Sequence, residues 1–269
     1  MKVENLVSTM NLEDYDTLIS NLNIDGCVVI NQITTNVNKI KDISKGKNKL
    51  FSYKEIGLSK SRNKAIKNSN ADICIISDDD LTYNDDYKDI ILNGYKKYPN
   101  ADIIAFYVDN YDKNRRKKKK KERKINYLTS MQLQSVQITF KRKSVINNNI
   151  SFDERFGAGA ELNMGEENIF LYDCLRKGLK IYYIPKNIAF IKNNESTWFK
   201  GYNKDYFIVK GAQFYRMSKY MYIPLILQFA FRKRKLYKDN FNIIEIVKFM
   251  LEGSREFKRN EGIKYGKKE

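Results

Sequence analysis

The sequence predicts an α/β protein with a doubly wound, mostly parallel sheet and helices on both faces. Short apolar runs alternate with segments of helical periodicity through the first half of the chain, the β-α-β-α order that builds such sheets. Residues 72–76 and 101–108 are apolar at successive positions, as strands covered on both faces require. The chain has 269 residues, 42% of them hydrophobic, enough for one such domain with a C-terminal appendage.

In chain order, residues 6–9 read as the first strand. Residues 14–22 read as a helix with Leu18, Ile19 and Leu22 on one face. A second strand covers 27–30 and ends at Asn31-Gln32, and 50–56 is a weaker third. Residues 59–68 form a helix with Ser59 as its N-cap. The buried strand 72–76 follows, then a helix over 85–95 with Tyr87, Ile90, Ile91 and Tyr95 inward, then the strand 101–108. The second half is less regular. It offers a strand at 135–141, a helix at 167–177 stopped by Gly178, and two short strands, 181–184 and 188–191, around Pro185. Helical segments dominate from about 204 to 258. The division expected is an α/β domain over 1–203 and a helical extension over 204–269, packed on that domain or on a membrane surface.

Composition limits the chemistry. Fifty Lys and Arg stand against 32 Asp and Glu, a formal charge of +18, and there is no histidine. Every mechanism that needs an imidazole is excluded. Cys27, Cys74 and Cys174 are far apart and form no CxxC, which argues against a zinc site and fits a reducing cytosol. Acids, bases and metal ligands must therefore come from Asp, Glu, Lys, Tyr or the backbone. The N-terminus has no signal-peptide pattern. The most apolar stretch, 220–231, contains Pro224 and Gln228 and falls short of the ~20 residues that span a bilayer. A soluble or peripheral cytoplasmic protein is expected.

Three motifs carry chemistry. Ser77-Asp78-Asp79-Asp80 directly follows a buried strand. Ligands of open α/β sheets bind beyond the carboxyl ends of strands. Adjacent carboxylates repel unless a cation sits among them, and Mg²⁺ or Mn²⁺ suits carboxylate oxygen. The plain alternative is a solvated acidic turn. Gly57-Leu58-Ser59-Lys60-Ser61-Arg62-Asn63 opens a helix, where Lys60 and Arg62 could reach phosphate; the alternative is an ordinary capped helix with a basic surface. A Gly-rich stretch from Phe156 leads to Gly165-Glu166-Glu167, which places two carboxylates at a helix start. Without histidine, Glu is the best general base for a hydroxyl nucleophile. The alternative is two acids that merely favour a helix N-terminus.

In this order, with the opening strand Leu6-Val7-Ser8-Thr9 and with Arg176 and Gly178 after the acidic pair, the motifs resemble the family 2 glycosyltransferases over about residues 1–200. That resemblance implies a GT-A fold and an inverting, metal-dependent, hexosyltransferase-type enzyme using a nucleotide-diphosphate sugar, expected to be UDP-linked. Asp80 looks like the metal ligand that holds the diphosphate. Asp78 looks like a partner of the ribose or the metal shell, with Asp79 adjacent. Arg62, Ser8 and Asn31 fall in the nucleotide site. Glu167 takes the second position of the family's acidic pair, usually Glu-Asp; the Glu-Glu found here keeps Glu166 as a candidate base. Asn31-Gln32 stands where an acid is common, and an amide could still bond a uracil edge. The acceptor implied is a hydroxyl of a glycan or lipid-linked molecule in cell-surface polysaccharide or lipopolysaccharide synthesis. The rivals are a metal-dependent nucleotidyltransferase, whose Gly-rich phosphate loop is missing from residues 7–11, and a basic nucleic-acid-binding protein.

Half of the net charge lies in residues 113–124, with ten basic residues and one acid. The readings are a mobile solvated loop, attraction to anionic lipid or a lipid-diphosphate acceptor, and nucleic-acid binding, for which no recognition helix or aromatic sheet is evident. A second basic cluster, Arg232-Lys233-Arg234-Lys235, follows an apolar stretch, as in helices of the membrane interface; packing on the domain is the alternative. Trp198 reads as core or hinge, with an acceptor-sugar platform as the other reading.

Overall fold

The parallel strands run just where the apolar runs lie. The structure, a computed structural model, describes residues 1–35, 42–110, 121–192, 199 and 201–265. The first half contains β1 (Val3–Met10), α1 (Tyr15–Leu22), β2 (Cys27–Gln32), β3 (Ile43–Lys45), β4 (Asn48–Tyr53), α2 (Leu58–Asn68), β5 (Ile73–Asp78), β6 (Leu81–Tyr83), α3 (Tyr87–Lys97) and β7 (Ile103–Asn110). There follow β8 (Arg123–Ile125), α4 (Tyr127–Ser130), β9 (Ile138–Lys141), α5 (Arg142–Asn147), α6 (Glu166–Arg176), β10 (Ile181–Ile191), α7 (Lys204–Met217), α8 (Tyr222–Arg232) and α9 (Ile243–Tyr265). Residues 113–120 of the basic run and Trp198 lie outside the described residues.

Among the described residues the strands form one sheet in the order β3-β4-β2-β1-β5-β9-β7-β10-β6, with β8 also paired to β10. Strands β4, β2, β1 and β5 are mutually parallel neighbours, as are β7 and β10. The chain steps from β1 out to β2 and β4, and α2 then carries it back to β5 on the other side of β1. This reversal is a topological switch point, where open α/β sheets bind ligands. The register sets Ser8 opposite Asp78 on one side and Thr9 opposite Asn31 on the other, so three expected site residues share one sheet edge.

Three local expectations change. Helix α2 starts at Leu58, with Gly57 as its N-cap; Ser59 lies inside the helix and donates to the Phe156 carbonyl at 2.6 Å. The expected strand at 135–141 begins as a short 3₁₀ turn and becomes β9 only at Ile138, running antiparallel between β5 and β7. The two strands around Pro185 are one bulged strand, β10, whose register shifts between Ile184 and Asn187 and again before Ala189. A bulge is where a residue without an N–H fits a strand.

The two faces of the sheet carry separate apolar clusters, and a third joins α7, α8 and α9 to Phe156, Ile169 and Tyr172. The C-terminal helices thus pack against α6 and the loop before it. Helices α7 and α9 meet at backbone distance. Gly211 faces the Met250 carbonyl, Gly253 faces the Ile208 carbonyl, and a Cβ on either would overlap that backbone. The Ser254 hydroxyl seals the crossing, contacting the Gly211 carbonyl at 2.9 Å and the Met250 carbonyl at 2.8 Å. Gly253→Ala is therefore expected to push the helices apart and to cost about 1–3 kcal/mol, the usual range for overpacking. Urea unfolding checks this, and an unchanged midpoint would contradict the crossing. Among the described residues no helix is long and apolar enough to cross a membrane.

Candidate active site

Polar anchors beneath the sheet edge fix the acidic turn. The Ser77 hydroxyl accepts from Asn5 Nδ2 at 3.1 Å and pairs with the Tyr83 hydroxyl at 2.7 Å, while the Tyr87 hydroxyl donates to Asn5 Oδ1 at 2.8 Å. This buried network ties β1, β5, β6 and α3 together one residue before the three aspartates. The aspartates then diverge. Asp78 turns toward α2, Asp79 accepts from the Thr9 hydroxyl at 2.6 Å, and no Lys or Arg among the described residues pairs with Asp80. Burial, then Asp78 and Asp79, push the Asp80 carboxyl up to about 6.

Arg62 is the centre of the arrangement. It is 1% exposed, and its guanidinium reaches Glu166 Oε1 at 2.7 Å through Nη1 and Asp78 Oδ1 at 3.2 Å through Nη2. Its charge is thus engaged by two carboxylates, with the Phe152 ring centroid 5.5 Å away. One cation joins the acid turn after β5 to the acid pair opening α6, segments more than eighty residues apart. Burial of an arginine is tolerable when both forks are met.

The loop before α6 is pinned to α2. Asn63 Nδ2 donates to the Phe152 carbonyl at 3.0 Å and Asn63 Oδ1 accepts from the Phe152 amide at 2.8 Å. The Leu58 amide donates to the Ala158 carbonyl at 2.8 Å. Gln32 grips the start of α2: its Nε2 donates to the Gly57 carbonyl at 3.1 Å and its Oε1 accepts from the Gly57 amide at 3.2 Å. Gly157 has φ +104°, and a Cβ there would press on the Glu166 carboxylate at 3.2 Å. Gly165, at φ +93°, caps α6, and a Cβ there would occupy the position of the Gln213 amide.

The two glutamates have different surroundings. Glu166 is 7% exposed and held by Arg62. Glu167 is half-buried and accepts from Asn168 Nδ2 at 2.8 Å. Burial and then Glu166 push the Glu167 carboxyl up to about 7, against the pull of Lys210 and Arg62. Lys210, from α7, donates to Gln213 Oε1 at 2.7 Å, and burial lowers its ammonium.

Ser8 is buried and accepts from the Ser61 hydroxyl at 2.7 Å, locking β1 to α2. Asn31 is 1% exposed; its Oδ1 accepts from the Leu12 amide at 3.0 Å and its Nδ2 donates to Ser52 at 3.3 Å. Both residues sit at the sheet edge with the bonds just given directed into the protein. The structure thus brings Asp78, Arg62, Glu166 and Glu167 into one connected group, sets Asp79 and Asp80 at its rim, and uses Ser8 and Asn31 to hold the surrounding loops.

Residues 36–163, just under half of the chain, match the sequence model of glycosyl transferase family 2. This segment is similar to family 2 glycosyltransferase domains. Solved structures with the same fold include residues 1–349 of TarS from S. aureus, at TM-score 0.61 and 14% identity, covering 89% of this chain and 74% of that one. The same TarS fragment in complex with UDP-GlcNAc gives TM-score 0.62 at 14% identity and the same coverage. A mycobacterial protein gives TM-score 0.52 at 12% identity, covering 80% of this chain and 75% of that one. A search of curated proteins finds no match.

The matched segment holds Arg62 and the three aspartates but ends before Glu166 and Glu167. Sequence reasoning missed Thr9, Asn63, Lys210 and Gln213. Lys210 carried one signal: it is a lone cation in an apolar helical stretch with Phe207, Val209, Gly211 and Ala212. Arg176, which follows the acidic pair in the sequence, reaches the Met217 carbonyl at 2.6 Å and Asp173 at 3.0 Å, joining α6 to α7.

Proposed function

We propose that this glycosyltransferase moves a sugar, with inversion, from a UDP-linked donor to a hydroxyl of a glycan or lipid-linked acceptor in cell-surface polysaccharide synthesis. The observation that carries the reading is the Arg62 bridge, which couples an acidic turn at the switch point to an acid pair at the start of α6. The UDP-GlcNAc complex of a protein of the same fold supports a uridine nucleotide.

In this mechanism Glu167 is the base. Glu166 is spoken for by Arg62, whereas Glu167 is partly exposed and sits near the proton affinity that a neutral-pH base needs. Glu167 takes the proton of the acceptor hydroxyl as its oxygen bonds to the anomeric carbon. The bond from that carbon to the diphosphate oxygen breaks on the opposite face, and the nucleoside diphosphate leaves with the electron pair. Lys210 keeps positive charge beside Glu167 and favours its deprotonated form. One displacement inverts the configuration, so no second nucleophilic carboxylate is required.

Among the described residues, no group of three or more acid or thiol side chains is placed to hold a metal ion. The donor set suits a hard divalent ion shared with a diphosphate, because among the described residues Asp80 has no cationic partner and stands beside two further acids. Asp80, with Asp78, would hold Mn²⁺ or Mg²⁺, and the ion would supply charge stabilisation to the leaving diphosphate.

Thermal-shift measurements with UDP, GDP and CMP, with and without Mn²⁺, test the proposal. UDP is expected to raise the melting temperature, more so with Mn²⁺. Asp80→Asn should abolish the Mn²⁺-dependent part and leave the fold intact. A protein that responds to no nucleotide in either condition would sink the reading.

A further inference from the structure

Helix α8 carries apolar residues on both its buried and its exposed side. Leu225, Ile226, Phe229 and Ala230 are buried against α7 and α9. On the outer side Ile223, Leu227 and Phe231, spaced four residues apart, form one stripe with exposures of 46%, 41% and 65%, and Tyr220, just before the helix, is 94% exposed. Met221 before the helix and Leu236 after it extend the exposed apolar surface. Isolated exposed apolar side chains need no explanation; a contiguous stripe on one helix does.

The charge around this stripe has one sign. From residue 206 to residue 238 there is no aspartate or glutamate. Arg232, Arg234 and Lys235, at the end of the stripe, are exposed. A second copy of the chain packed isologously on this face would bring those cations together. An acidic surface with an apolar interior meets both halves of the pattern. The helix has eleven residues and lies along the protein surface, so it suits the headgroup region and is too short to cross.

We propose that the outer face of α8, with Arg232, Arg234 and Lys235, docks this protein on an anionic lipid bilayer. The apolar stripe enters the headgroup–acyl boundary and the three cations contact lipid phosphates. The docking face adjoins the chemistry: Lys233, in the same basic cluster, is close enough to Lys210 for its charge to be felt there, and Lys210 lies beside Glu167. A docked protein therefore presents the Glu167 side of its site near the bilayer, within reach of an acceptor carried by lipid. The docking itself does not depend on the reaction proposed above.

The test is co-sedimentation of the full chain with phosphatidylglycerol–phosphatidylcholine vesicles and with phosphatidylcholine alone. Wild type is expected to partition onto the anionic vesicles and to be released by high salt. Ile223→Ser/Leu227→Ser/Phe231→Ser and, separately, Arg232→Gln/Arg234→Gln/Lys235→Gln should each weaken partitioning by about tenfold or more, with melting temperature and donor-nucleotide response unchanged. Absence of binding to anionic vesicles, or binding that neither triple variant weakens, would overturn the proposal. So would light scattering in which the serine variant turns a dimer into a monomer, because the stripe would then belong to a second copy.

Discussion

Glu167→Gln is expected to lower transfer by about 10²–10⁴-fold, the range contributed by a positioned general base, while UDP binding is retained. Binding of the nucleotide is assigned to the opposite side of the Arg62 bridge, so losing the carboxyl of Glu167 leaves that side intact. The pH profile makes the prediction sharper. A base acts in its deprotonated form, and burial together with Glu166 raises Glu167 from 4.5 to about 7. Wild-type kcat should therefore rise with pH through about 7 and not be level from pH 5. Glu166→Gln removes the second of the two raising causes, so it should move that limb to lower pH and keep measurable transfer. A glutamine variant at 167 with wild-type kcat would remove Glu167 from the reaction.

Arg62→Met should cost about 3–5 kcal/mol of folding stability, as expected when one partner of a buried charge network is removed. The figure needs no discount for solvent, because Arg62 is 1% exposed. Methionine fills much of the volume but leaves Asp78 and Glu166 without their shared cation. Arg62→Lys should rescue only in part, because one ammonium cannot present the two separate forks that meet Glu166 and Asp78. Urea unfolding of the two variants measures both effects. A methionine variant as stable as wild type would mean that the bridge contributes nothing to the fold.

Strands β2, β5 and β7 of the parallel core were legible because burial on both faces leaves an unbroken apolar run. The antiparallel entry of β9 between β5 and β7 was not, since periodicity within a segment says nothing about which strand lies beside it. Strands β6 and β8 have three residues each, too few for any pattern. Chain punctuation misled at Pro185, where a bulge carries one strand through a residue that usually ends one. The acidic motifs were readable because like charges in a row are conspicuous. The burial of Arg62 was not, because a cation in a helix reads as surface until its two carboxylates, one of them over a hundred residues away, are placed beside it. The roles of Asn63, Gln32 and Ser59 were hidden for the same reason: each bonds the backbone of a distant segment.

The helix crossing at Gly211 and Gly253 acts as a gauge. Two backbones in contact define a spacing that no side-chain repacking can shorten, and any added carbon lengthens it. Lys210 and Gln213 stand on either side of Gly211 on the same helix, so their reach toward Glu167 and Gly165 is measured from that stop. The geometry around Glu167 and Gly165 is thus set outside the α/β sheet, by two absent methyl groups between α7 and α9. Cutting the chain at residue 203 would remove both the gauge and the residues that it positions.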